Sequence, residues 1–225
     1  MTSPNDVDPA LRNRLIQIGF PEDPGEWKQG KAVFSSNKLE ILGHPVMEAW
    51  EAPYMGALAK IATRNGGKIL EIGFGLGLSA GFIQEYKPEE HTIIEVNCDV
   101  FSKLEDFADR SRSKVIPLFG DWRDLVPSLA SNSFDGILFD TYANSQTEMK
   151  NVCEAFVFFD EAYRLLKLGG IFTFYSSQVK FNAECEQGLR KAGFSNIDGI
   201  SVPVPVPKDC LYWSHDTILA PIIVK

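Results

Sequence analysis

A chain of 225 residues with 30 acidic against 22 basic side chains carries a formal net charge of −8, the wrong sign for a surface that must hold a phosphate backbone. With 44% hydrophobic residues it is long enough to bury the core of one domain with short additions, and its composition is that of a globular protein. Cys98, Cys153, Cys185 and Cys210 show no CxxC pair, which argues against zinc or a disulfide framework. No apolar run reaches the roughly 20 residues of a membrane span, and Met1 to Asp6 lack the basic and apolar regions of a secretion signal. A cytoplasmic setting is the expectation.

In chain order, Asp8-Pro9 reads as a helix start, with the helix running to about Ile18 before Gly19. Residues 20–36 are rich in Pro, Gly, Ser and charge and read as a loop, in which Trp27 and Phe34 need a burial partner. Pro45 to about Thr63 reads as one helix closed by Asn65-Gly66-Gly67, with Val46, Trp50, Tyr54, Leu58 and Ile61 as its buried stripe. Met47, Glu51 and Met55 recur at i, i+4, i+8 and would project along one line beside it.

From Lys68 the pattern alternates. Strands are expected at 68–72, 91–96, 114–118, 134–139, 170–175, 197–204 and 216–224, and helices at about 77–86, 99–109, 122–129, 151–167 and 182–192. Such alternation implies an α/β fold, a doubly wound, mostly parallel seven-stranded sheet covered on both faces. The short Pro-rich connection from Pro203 to Lys208 joins antiparallel neighbours, so one strand near the edge is reversed. Residues 1–40 form an N-terminal helix and lid segment, and 41–225 the main domain.

In such sheets ligands bind beyond the carboxyl ends of the strands, at the switch in strand order. Those ends carry Glu71-Ile72-Gly73-Phe74-Gly75, Glu95-Val96-Asn97, Gly120-Asp121-Trp122, Asp140-Thr141-Tyr142 and Tyr175-Ser176-Ser177. The glycines allow a tight turn that a nucleoside-bearing cofactor approaches closely. Glu95, 22 residues after Gly73, suits a ribose diol; the alternative is a solvated helix cap. The dinucleotide pattern is incomplete, with Leu78 in its last glycine position. Glu71 inside an apolar strand is costly unless satisfied, and a cationic cofactor moiety would satisfy it, which favours S-adenosylmethionine (SAM) over a nicotinamide. Asp121-Trp122 fits an adenine site, with Trp122 as a core aromatic the alternative. Glu51 and Asp140 would clamp a planar cation such as a guanidinium; singly, one reads as an exposed helix residue and the other as a turn cap. His44, His91 and His215 show no ligand spacing.

The segments Ile41 to Met55, Leu70 to Gly75, Ile93-Ile94-Glu95, Val115 to Leu118, Phe134 to Tyr142 and Arg164 to Lys167 together resemble guanidinoacetate N-methyltransferase and its relatives, a SAM-dependent guanidino-group family with the class I methyltransferase fold. The resemblance implies that Gly73, Phe74, Gly75, Glu71, Glu95, Val96, Asp121, Trp122, Met55 and Asp140 surround the cofactor. It implies an acceptor site built from Trp27, Phe34, Met47, Glu51, Asp140, Thr141, Tyr142 and Ser176, with Glu51 and Asp140 on the guanidino group and Asp140 as general base. The segment carrying Trp27 would close over the site. The chain departs from the family in having Leu168 before Gly169-Gly170, a shorter region after Ser177, and a different Ala143 to Asn151. The expected partner is a small cationic guanidino or amine substrate of a monomer or homodimer, with neither nucleic acid nor membrane. Methylation of an amine on a guanidine-containing natural product is the alternative, and a non-catalytic SAM-binding module the second.

Overall fold

The computed structural model describes residues 17–19, 25–143 and 154–225. The expected helix over Asp8 to Ile18 and the divergent segment 144–151 lie wholly or mainly outside them.

A seven-stranded sheet forms the centre. Its strands are β4 (Lys68–Ile72), β5 (Glu90–Glu95), β6 (Lys114–Phe119), β7 (Phe134–Phe139), β8 (Leu166–Phe174), β9 (Asn196–Pro203) and β10 (Thr217–Val224), in the spatial order β6-β5-β4-β7-β8-β10-β9. β4 to β8 pair in parallel, and β10 runs antiparallel to both β8 and β9. The doubly wound sheet with one reversed strand near its edge is therefore the observed fold. β4 and β10 are near-continuous apolar runs because both of their faces are covered. One face carries the cluster of Phe158, Phe159, Leu165, Phe172 and Leu189; the other carries Tyr54, Leu58, Ile61 and Trp213.

Around the sheet lie α2 (Ala52–Ala62), α3 (Leu78–Glu85), α4 (Cys98–Arg110), α5 (Trp122–Leu125), α6 (Phe159–Leu165) and α7 (Ala183–Ala192), preceded by the short α1 (Gly25–Gln29). The junction before β8 differs from the sequence reading. Leu166 and Lys167, expected to end a helix, begin β8, where Leu166 pairs with Phe134. Leu168 projects at 89% exposure from the bulge after it.

The larger correction concerns residues 30–51. Instead of a loop and the start of a long helix, they form a three-stranded antiparallel sheet, β1 (Ala32–Phe34), β2 (Lys38–Ile41) and β3 (His44–Glu48). A 3₁₀ turn at Ala49–Glu51 then leads into α2, which starts at Ala52 with Pro53 in its first turn. Met47 thus lies on a strand, Glu51 in the turn and Met55 in the helix, so the three do not form a helical line. The boundary expected between residues 40 and 41 falls inside β2.

Candidate active site

The switch in strand order lies between β4 and β7, where β4 is flanked by β5 on one side and β7 on the other. The main chain draws tight there. Gly73 N–H donates to Ile94 O (2.9 Å) and Asp140 N–H to Ile72 O (2.9 Å). Gly73 has φ +91°, and a Cβ there would overlap the carbonyl of Asp140. Gly75, φ +55°, faces Met47 Sδ, which accepts from Leu76 N–H at 3.3 Å. The new hairpin therefore brings Met47 onto the glycine turn.

Glu95 closes the other side of the turn. Its oxygens accept from Phe74 N–H (3.0 Å) and Asn97 N–H (2.7 Å). Burial pushes its pKa above the usual carboxylate range, against the pull of those amides and of Val96 and Gly75 N–H. Asn97 then joins two elements. Its Oδ1 caps α4 by accepting from Asp99 and Val100 N–H, and its Nδ2 donates to Trp27 O (3.0 Å) and Gly30 O (2.7 Å). Trp27, held this way, stacks on Tyr142 with centroids 5.6 Å apart and planes at 7°. The buried His44 completes the group. Burial lowers its pKa, so the neutral ring donates from Nε2 to Gly19 O (2.9 Å) and accepts at Nδ1 from the Tyr142 hydroxyl (3.3 Å).

The third wall holds the carboxylates. Glu51 is 3% exposed, and its Oε1 accepts from Glu48 N–H (2.8 Å) and the Tyr212 hydroxyl (2.7 Å). Burial raises its pKa to about 7, in spite of those donors and the nearby Tyr175 hydroxyl. Tyr175, at the end of β8, lies within electrostatic reach of both Glu51 and Asp140, and its hydroxyl is buried without a hydrogen bond of ordinary geometry. Two carboxylates from distant elements thus act on one buried hydroxyl, and the main chain of one of them, Asp140, lies against the glycine turn.

The family model for guanidinoacetate N-methyltransferase matches residues 21–225. The chain belongs to that family. That family is one of N-methyltransferases. Among curated proteins, the chain is 29% identical over 171 residues to protein arginine N-methyltransferase 2 of Aspergillus fumigatus, covering 71% of this chain and 39% of that one. It is 29% identical over 180 residues to the protein of the same name in Saccharomyces cerevisiae, covering 76% and 40%. The chain thus spans well under half the length of these relatives. The fold is also that of spermidine synthase in complex with AdoDATO (TM-score 0.61, 14% identity, 86% of this chain and 72% of that one). It matches M. jannaschii TYW2 in complex with AdoMet as well (TM-score 0.55, 14% identity, 88% and 85%). The names of the curated relatives overturn the expectation of a small cationic partner, since they specify arginine in proteins rather than a free guanidino acid or amine.

Several family positions sit differently from the sequence reading. Glu71 needs no cationic cofactor: it pairs with His91 Nε2 (2.8 Å) and accepts from Ser79 Oγ, all fully buried. That removes the sequence argument for SAM from Glu71, and the cofactor rests on family membership instead. Phe34 is 37% exposed on β1 with Lys103 above its ring, so it belongs to the surface over α4. The Phe74 side chain packs on Phe107 in the core, and its contribution to the turn is its amide. Met55 is wholly buried in the α2 core. Ser176 is committed to the backbone, donating from Oγ to Leu219 O (2.7 Å). Trp122 stands edge-on to Phe139 and Phe158 with Arg123 over its ring, while Asp121 caps α5 and pairs with Arg123. The sequence reading had Asn97 and Tyr175 only as strand-end residues, without a role, and gave none to Tyr212, His44 or His91. Asn97 alone carried a local signal, as a helix cap directly after the strand.

Proposed function

We propose that the chain transfers a methyl group from SAM to a guanidino nitrogen of an arginine side chain in a polypeptide. The single observation that carries this reading is the buried Tyr175 hydroxyl within electrostatic reach of both Glu51 and Asp140. The names of the curated relatives support arginine as the source of the guanidino group. The chemistry of the donor set fits the cofactor: Gly73 and Gly75 open the backbone, and Glu95 sets a buried carboxylate among the amides of the turn. Val96, Asp121 and Trp122 extend that wall toward an adenine. Met47, Thr141, Tyr142 and Trp27 border the acceptor.

When bound, SAM supplies a methyl group already activated by its sulfonium. The protein must make a poor nucleophile react. A guanidinium keeps its proton to above about pH 12, so its nitrogens have little free electron density. Glu51 would hold one edge of the group and align it. Asp140 would accept the proton that the attacking nitrogen loses as its bond to carbon forms. The stacked Trp27 and Tyr142 would exclude water from that step.

Incubation with SAM and an arginine-containing peptide library, read by mass spectrometry, tests the reading. Methyl groups should appear on arginine, and peptides with lysine in its place should stay unmodified. Turnover of guanidinoacetate alone, with every peptide inert, would overturn it.

A further inference from the structure

We propose that Tyr212, on the connection between β9 and β10, is a positioning residue for the methyl acceptor: it pins one oxygen of Glu51 so that the other is presented to the incoming group. The inference rests on the proposed role of Glu51 in holding a guanidinium. Both donors to Glu51, the Tyr212 hydroxyl and Glu48 N–H, converge on Oε1. Neither of these donors holds Oε2, and the Tyr175 hydroxyl is the further donor near the carboxyl. Two donors on one oxygen set the rotation of a carboxylate, so Oε2 keeps a fixed direction even before a ligand arrives.

Tyr212 is itself held. Its ring lies 5.8 Å from that of Trp50, whose Nε1–H donates to Glu48 Oε2 at 2.7 Å. Glu48, Trp50, Tyr212 and Glu51 thereby form a closed loop of contacts. The connection that carries Tyr212 is clamped at its base by Val204 N–H donating to Asp216 O (2.9 Å), and Trp213 is sunk in the core. Burial and the adjacent carboxylate push the Tyr212 hydroxyl far above its ordinary pKa, so it remains a donor at every pH the protein survives. A permanent donor favours the ionised form of Glu51, the form that binds a cation. The other titratable groups around Glu51 are Glu48, Asp140, Tyr54, Tyr175 and Cys210. Burial and the Glu48 carboxylate disfavour the charge on Glu51, and the Tyr212 hydrogen bond, with Glu48 N–H, counters them.

A buried tyrosine that merely packs would tolerate loss of its hydroxyl without changing how Glu51 titrates. Tyr212→Phe keeps the ring on Trp50 and removes the hydrogen bond alone. A hydrogen bond to a charged group changes affinity by about 10-fold or more, so kcat/KM for an arginine peptide should fall by at least that factor, while SAM affinity by calorimetry stays within about 2-fold. The acidic limb of the kcat/KM profile should move to higher pH by about one unit. In a Glu51→Gln background the same substitution should cost little more, because its effect passes through Glu51. Carbon-13 NMR of the Glu51 carboxyl, in the SAM-bound protein without any acceptor, reads the same shift directly. An unchanged Glu51 titration in Tyr212→Phe, or full additivity with Glu51→Gln, overturns the proposal. If the titration moves but no arginine peptide is methylated, the acceptor assignment is what fails.

Discussion

Glu51 shows what one buried carboxyl contributes to both stability and activity. Its pKa rises from about 4.5 when unfolded to about 7 when folded, so between those values the folded chain holds a proton that the unfolded chain has lost. The associated stability is complete below pH 4.5 and is lost as pH rises through 7, amounting to about 3 kcal/mol. Glu51→Gln should therefore raise unfolding stability at pH 8 by about that much and leave it unchanged near pH 4, as urea titrations at the two pH values would show. The same variant should lower turnover to a measurable residual level, since a neutral amide balances a guanidinium poorly. Asp140→Asn should lower kcat by about 10²-fold or more with the SAM dissociation constant unchanged in calorimetry; near-normal turnover would remove Asp140 as the base.

At the scale of elements, Asn97 joins β5, α4 and α1. Asn97→Ala removes a helix cap and two buried donors to the main chain of Trp27 and Gly30, and should cost about 2–3 kcal/mol. The loss should appear first as faster amide exchange over residues 25–34. Element starts also explain where sequence reading fails. Pro45 and Pro53 both offer a helix start, and the apolar spacing from Val46 suits helix and strand alike. Only the pairing of β3 with β2, Leu39 opposite Met47 and Ile41 opposite His44, decides for Pro53. By contrast, β4 and β7 fall at the residues expected, because glycines and charged residues bracket their apolar runs on both sides.

At the scale of the whole molecule, Tyr54 ties the helical layer to the sheet. Its hydroxyl donates to Leu219 O at 2.8 Å, lies 3.3 Å from Phe174 O, and accepts from Ser176 N–H at 3.2 Å. Tyr54→Phe leaves that amide and part of the carbonyl set unsatisfied, and should lower global stability by about 1–3 kcal/mol with an unchanged urea m-value. The tie lies next to Tyr175, packed edge-on at 5.2 Å, so the floor of the proposed acceptor site packs against the reversed side of the sheet.

The alternation of strands and helices, the glycine turn and the acidic strand ends are local patterns, set by side-chain period and by the backbone freedom of glycine, and the sequence alone determined them. Together they sufficed for the sheet and its switch point, and they put Glu95 and Asp140 at strand ends. The partners of those charges were decided only by tertiary structure. Glu71 meets His91 because β4 pairs with β5, and Glu51 meets Tyr212, 161 residues away, because β10 returns along β8. A buried charge takes its character from the donors around it, and strand order, which no local pattern encodes, brings those donors in.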